Sequence, residues 1–416
     1  MRVAIVHPWF LARGGGERTV EVMAEMFPQA DIFTLFADRR ALPPALKDRK
    51  IITSHWNWLP AKYSFYRYLL PLYPRAFEAL DLRGYDLVLS SDSCLSKGVL
   101  LDDETTHVCY CHSPMRCLYD QYRQTSEDLP WFGRPIFQLA AHYLRIWDSA
   151  AAHRVTGIAA NSRYIARRVR TYYGVDSRVI YPPVETNCGY IDSNIGDYYL
   201  CAGRLVKNKR VDLVIRACNS LRRRLIVVGC GREFAHLKEI AGPTIEFTEW
   251  ASPEQLASLY ARCRALLFAA CEDFGMMPVE CQSYGRPVIA YGRGGSLETV
   301  IHATTGLHFA EQTSESLIEA ILQFESMEAT FDSMAIRSHA QSFDTSGFKR
   351  QLYAFIELCI KGKKQGLPWN EVAAEHGLPA TSFGDAEMPP LQTWPAGSPY
   401  GISLINEDAT VTFKVS

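Results

Sequence analysis

The feature that most constrains this chain is an alternation that occurs twice. Short apolar runs (RVAIVH, DIFTLF, DLVLSSD, THVCYCHS, TGIAANS) are separated by stretches of helical period such as TVEVMAEMF and IFQLAAHYLRIWDSAAAHR. Buried strands alternating with helices specify a mostly parallel sheet covered on both faces, because a parallel crossover needs a helix's length of chain to return. At Tyr181-Pro182-Pro183-Val184 the pattern stops and then restarts. DYYLCAGR, RLIVVGCG, IEFTEW, ALLFAA and PVIAYG read as strands, with RVDLVIRACNSL and PEQLASLYARC as helices between them. A chain of 416 residues also exceeds what one core usually holds. The expected fold is therefore α/β: two Rossmann-like domains facing a central cleft, residues 1–182 and 183–345. FKRQLYAFIELCIKG makes 346–362 a closing helix, and 363–416 is a Pro- and Gly-rich extension of no legible role apart from a short final strand, ATVTFKV.

The 44 basic and 45 acidic residues cancel, so no whole-chain field attracts nucleic acid and no such partner is expected. Twelve cysteines lie scattered, several inside apolar runs, without a CxxC pair, which suits small reduced thiols. Cys109 and Cys111 share a strand face near His112 and Cys117, but that spacing matches no common zinc pattern. The N-terminal apolar run is too short for a signal peptide, and no run of 18 apolar residues occurs. A cytoplasmic protein is expected, with contact at the inner face of the cell membrane as an extension of that expectation.

In the two-domain arrangement, turns at the carboxyl ends of strands face the cleft. Gly14-Gly15-Gly16-Glu17 follows the first strand and opens a helix. Consecutive glycines let backbone N–H groups approach a phosphate or sugar hydroxyls, though the spacing is not that of a dinucleotide fingerprint. His112-Ser113-Pro114 ends the strand THVCYC and brings an imidazole to the cleft; a packed histidine is the alternative. Arg204 and Lys209, in GRLVKNKR after the first strand of the second half, can converge on one diphosphate without a metal. A solvated basic loop is the competing reading there.

The densest stretch is CEDFGMMPVECQSYGRPVIAYGRGGSLE, residues 271–298. After the strand ALLFAA, Glu272 falls on the turn and Glu280 in the first helical turn, with Met277 or Pro278 as the first helical residue. One carboxylate can hold hydroxyls deep in the cleft and the other hydroxyls further out, with the N–H groups of Phe274, Gly275, Met276 and Met277 between them for a phosphate. No DxD-type metal motif is present, and Asp102-Asp103-Glu104 reads as a solvated turn.

EDFGMMPVE with its E-x7-E spacing, GRPVIAYGRGGSLE, GRLVKNKRVD, YCHSPMR and GGGER occur in the order of, and resemble, the retaining glycosyltransferases of family 4, which have the GT-B fold. The resemblance covers roughly residues 1–360, and YCHSPMRCLYDQY is most similar to bacterial α-mannosyltransferases that use GDP-mannose to build surface polysaccharides. It implies that Arg204 and Lys209 bind the donor diphosphate, Glu272 the sugar hydroxyls and Glu280 the ribose. It also implies backbone contacts from Phe274, Gly275, Met276 and Met277, His112 beside the transferred sugar, and Gly15 and Gly16 bordering diphosphate and acceptor. No cofactor is implied beyond the nucleotide-sugar donor, and no metal. The implied acceptor is a saccharide, carried on a polyprenyl diphosphate, in polysaccharide or O-antigen synthesis. Glu249-Trp250 departs from the family's usual Gly and basic residue, which leaves a UDP-sugar donor as an alternative; a sugar-nucleotide epimerase is another. Finally, HWNWLPAKYSFYRYLLPLYPRAF with Lys62, Arg67 and Arg75, together with Arg163, Arg167, Arg168 and Arg170, suits an anionic membrane surface, or else an aromatic core helix and a solvated basic face.

Overall fold

The computed structural model describes residues 1–375 apart from 13, 60–62, 64, 65 and 67. The first sheet contains β1 (Val3–Phe10), β2 (Asp31–Ala37), β3 (Ile51–Thr53), β4 (Leu87–Asp92), β5 (Thr106–Cys111), β6 (Gly157–Ala160) and β7 (Arg178–Val179), in the order β3-β2-β1-β4-β5-β6-β7. The second contains β8 (Tyr198–Ala202), β9 (Arg224–Val228), β10 (Ile245–Thr248), β11 (Leu266–Phe268), β12 (Val288–Tyr291) and β13 (Gly306–Phe309), in the order β10-β9-β8-β11-β12-β13. Every strand pair is parallel. With helices on both faces, the inner strands are mostly apolar; β1 and β4 are buried along almost their whole length. Each sheet reverses direction of growth beside its first strand, between β1 and β4 and between β8 and β11. A crevice opens at the carboxyl ends of the strands there, so the sequence places GGGE and GRLVKNK at the two switch points.

The chain passes between the domains twice, and the two passages lie together. Val184 N–H donates to the Phe343 carbonyl at 3.1 Å. Val184, Phe274, Val279, Ala340 and Phe343 form a small apolar cluster at this junction. The helix Thr345–Gln365 then returns to the first domain, where Phe348, Leu352, Phe355, Ile356 and Cys359 complete its core. Gly157 of β6 is a glycine because a Cβ there would meet Cys359 Sγ at 2.5 Å. Two expectations change here. The closing helix runs past 362, and 363–375 packs on the first domain: after Gly366 in the left-handed conformation, a helix Trp369–Glu375 buries Trp369 edge-on against Phe355. The remainder of the expected extension, 376–416 with ATVTFKV, lies outside the described residues.

The segment read as a membrane-facing surface or else an aromatic core helix is broken up. It contains the 3₁₀ turns His55–Trp58 and Leu70–Leu72 and a short helix, Tyr73–Glu78, that buries Tyr73, Pro74, Ala76 and Phe77. Lys62 and Arg67 lie outside the described residues, and Arg75 is exposed. Among the described residues, no helix is long and apolar enough to cross a membrane.

Candidate active site

At the first switch point, β1 ends beside Gly14, which starts the helix Gly15–Met26 with no side-chain cap, so the first N–H groups of that helix are left for a ligand. Gly16 lies against two imidazoles: a Cβ there would be 3.6 Å from His7 Cε1 and 3.8 Å from His112 Nε2. The two rings share one hydroxyl. His7 Nδ1 is 3.1 Å and His112 Nε2 2.8 Å from Ser91 Oγ. Burial first, and then His7, pull His112 down to about 4, so it is a neutral ring near pH 7. Glu17 Oε1 is 3.7 Å from His7 Nε2. Burial pushes the Glu17 carboxyl up, but His7, the local backbone and His112 together hold it below its ordinary value.

Ser91 is itself fixed from beneath. Ser91 and Asp92 pair with Tyr110 and Cys111 on β5. Asp92 accepts bonds from Ser96 N–H and hydroxyl and from Lys97 Nζ. Lys97, 1% exposed, also pairs with buried Asp148, which Tyr119 and Tyr173 donate to at 3.1 and 2.8 Å. An ion pair this deep is costly to half-remove, so it fixes the loop after β4 and with it the hydroxyl between the histidines. His7, Ser91 and Asp92 were not singled out from sequence, and Glu17 was named there only as the end of the glycine turn. The signal was present in AIVHPWF and LSSD, where polar residues close two buried runs. Cys109 and Cys111 lie fully buried in β5, where burial pushes both thiols up.

At the second switch point, Lys207–Lys209 forms a 3₁₀ turn and Lys209 Nζ pairs with the Glu272 carboxylate. Arg204 lies close enough that, after burial, it is the largest influence pulling Lys209 down to about 8. Arg204 is exposed and has no carboxylate partner among the described residues. The two cations therefore lie within electrostatic reach of one another. Arg116, in the motif YCHSPMR of the first domain, also depresses Lys209 and so adds a third positive group from across the cleft. Arg116, Gln121, Gln124, Lys207, Asn208 and Cys271 are among the residues lining a cavity of about 510 Å³ here.

The turn carrying Glu272 is shaped by close backbone approach. A Cβ on Gly294 would be 2.3 Å from the Glu272 carbonyl, and one on Gly295 would be 2.3 Å from Phe274 Cα. Gly295 N–H donates to that same carbonyl at 2.8 Å. The helix Met276–Ser283 begins at Gly275, φ +87°, without a side-chain cap, so N–H groups of its first turn are free for an anion. It starts at Met276, slightly earlier than expected, which puts Glu280 in the second turn rather than the first. Burial pushes the Glu280 carboxyl up, and Tyr260 OH donates to it at 3.2 Å. The side chains of Met276 and Met277 close on glycines: Cβ atoms on Gly15 and Gly203 would meet Met276 Sδ at 2.6 Å and Met277 Cε at 2.7 Å. Phe274 is an anchor, 3% exposed against Tyr181 and Phe343. Glu249 and Trp250 lie exposed just beyond the end of β10.

Polar links join the domains around this site. Arg168 donates to Ser113 Oγ (3.0 Å), Asp273 Oδ1 (3.1 Å) and Asp120 Oδ1 (2.5 Å). Ser162 Oγ donates to the Asp273 carbonyl at 2.6 Å. The Glu298 carboxylate accepts the N–H groups of Arg163 and Tyr164 at 2.8 and 2.9 Å, so a second-domain acid caps the first-domain helix Arg163–Tyr173. This corrects the expected basic face at Arg168, which is 6% exposed and spans the cleft; Arg170 stays exposed and pairs with Asp176 at the surface.

This two-domain geometry agrees with the chain's relatives. Residues 13–187 match the family model described as Glycosyltransferase Family 4, and residues 195–341 that described as Glycosyl transferases group 1. The chain is 25% identical over 294 residues to mouse (Mus musculus) alpha-1,3/1,6-mannosyltransferase ALG2, covering 59% of this chain and 66% of the relative. It is 28% identical over 142 residues to a Mycobacterium tuberculosis GDP-mannose-dependent alpha-(1-6)-phosphatidylinositol monomannoside mannosyltransferase, covering 30% and 37%. Both matches thus span less than two thirds of the relative's length. Among solved structures, Thermosynechococcus elongatus sucrose-phosphate synthase superposes with a TM-score of 0.66 at 18% identity, over 85% of this chain and 98% of that one. Anabaena Alr3699/HepE in complex with UDP does so with 0.64 at 16%, over 86% and 100%. With a family 4 domain ahead of a group 1 domain and a cleft between two parallel sheets, the chain belongs to the family 4 glycosyltransferases of GT-B fold.

Proposed function

We propose that this chain transfers a hexose, mannose from GDP-mannose, to a saccharide acceptor carried on a polyprenyl diphosphate, with retention at the anomeric carbon. The closeness of Arg204 and Lys209 beside the uncapped helix Met276–Ser283 carries the reading. Mannosyltransferases among the relatives support the sugar. In the proposed step the bond from the anomeric carbon to the leaving phosphate oxygen breaks while the acceptor oxygen attacks the same face. The acceptor's proton passes to that phosphate oxygen. Charge gathers on the departing diphosphate, where fixed cations and helix N–H groups stabilise it by several kcal/mol, to order of magnitude, and no metal is required of the donor site.

Glu272, already paired with Lys209, would hold sugar hydroxyls and keep the lysine aimed at the cleft until the diphosphate arrives. Glu280, held by Tyr260, is assigned to the ribose. His112 would accept or donate a hydrogen bond at the sugar as a neutral ring, oriented by Ser91 and His7. Gly15 and Gly16 leave room where diphosphate and acceptor meet. Incubation with GDP-mannose and UDP-sugars, with and without lipid-linked saccharide, tests the reading. Mannose transfer that requires the acceptor is expected. A rearranged sugar nucleotide formed without acceptor would instead identify an epimerase.

A further inference from the structure

The helix Arg134–His153 presents an unpartnered apolar stripe to solvent. Phe132, Ile136, Leu139, Tyr143 and Ile146 follow one another at three- and four-residue steps, and with Trp131 they are 52% to 80% exposed. At 1.5 Å per residue the stripe runs roughly 20 Å along one face of the helix. Single exposed apolar residues are ordinary, but a row of this length on one face marks an interaction surface. The 3₁₀ turn Leu70–Leu72 packs beside the same helix and adds exposed Leu72 and Tyr68.

We infer that this face rests on an anionic lipid bilayer, with the cleft's mouth turned to the surface. Three observations select a bilayer as the occupant. Residues 129–147 contain no acid, and Asp148, the one acid of the helix, is fully buried. Arg134 on this helix, Arg123 on the helix Tyr122–Glu127 packed against it, and Arg75 on the helix that follows the turn Leu70–Leu72 are exposed and have no carboxylate partner among the described residues. Trp131, Tyr143 and Tyr68 are side chains that settle at the level of lipid headgroups. The location also fits delivery. The helix Tyr122–Glu127 packs on the stripe's helix, stacking Tyr122 on Phe137, while neighbouring Gln121 and Gln124 line the cleft cavity. Asp128, just before the stripe, is 3.9 Å from Lys207 of the second domain. A lipid-linked sugar therefore has a short path from bilayer to cleft. This inference rests on the proposed function only for what the lipid carries.

Sedimentation of the full chain with vesicles tests it without donor or acceptor. Wild type should pellet with vesicles of equal parts phosphatidylglycerol and phosphatidylcholine, and less with phosphatidylcholine alone. L139E/I146E should partition at least ~10-fold more weakly while binding GDP or UDP as wild type does, and I136S/I146S should show the same loss should the acidic variant fold poorly. Wild type staying in the supernatant with both compositions overturns the inference, as does undiminished pelleting of folded variants. A wild-type dimer in sedimentation velocity that L139E/I146E converts to monomer also overturns it, assigning the face to a second copy. None of these results alters the donor site, so failure here and failure of the proposed function are separable.

Discussion

Arg204 stands exposed without a carboxylate beside it, whereas Lys209 is paired and partly buried, so the two cations respond differently to change. Replacing exposed Arg204 with alanine leaves the melting temperature unchanged and weakens nucleoside diphosphate binding by ~10- to 100-fold, the weight of one charge-assisted contact. Calorimetric titration checks it. Lys209, pulled down to about 8 by burial and Arg204, carries its proton below that pH and loses it above. Donor affinity is therefore expected to be flat below about pH 7 and to fall toward tenfold per unit above pH ~8. K209R moves that alkaline limb upward, because a guanidinium stays charged throughout. A limb that stays at the same pH in K209R assigns it to another group.

At the scale of elements, the turn 271–275 depends on what approaches it. Gly295 has ordinary backbone angles (φ −67°), so G295A acts through contact alone, driving a methyl into Phe274. It should displace Glu272 and cost about 1–3 kcal/mol in stability, with transfer reduced more than stability alone explains. Glu298 acts between domains: E298A takes away the acceptor of the Arg163 and Tyr164 N–H groups while the Ser162 cap of the same helix remains, a loss of about 1 kcal/mol. It should also widen the cleft, read as a larger radius of gyration in X-ray scattering and a raised donor KM. Unchanged scattering and kinetics would show that the carboxylate caps without latching. Glu298 stood in the sequence as the end of GRGGSLE, but a cap offered to a helix 135 positions away is invisible to local pattern. Arg168 misled for the same reason, since its spacing reads as a surface face and its partners, Asp273 and Asp120, are distant in sequence.

Across the molecule, both sheets were legible because parallel strands buried on both faces are nearly continuous apolar runs. The elements that escaped, β3, β7 and β13, are short and lie at sheet edges, where a strand lacks the neighbours on both sides that make the inner strands long apolar runs. The return of Thr345–Gln365 to the first domain's core was hidden as well, because an amphipathic helix does not name the domain it covers. Arg204, Lys209, Glu272 and Glu280 were readable from strand-to-helix turns. The His7–Ser91–His112 chain was not, since it joins three strands. The central claim is that fixed positive groups of this cleft hold the diphosphate of a sugar nucleotide in the place a divalent cation would take. Calorimetric titration of GDP in a metal chelator, on wild type and on R204A/K209A, tests it most directly. Binding should persist in the chelator and weaken by more than ~100-fold in the double variant; binding abolished by the chelator, or unaltered in R204A/K209A, would contradict it.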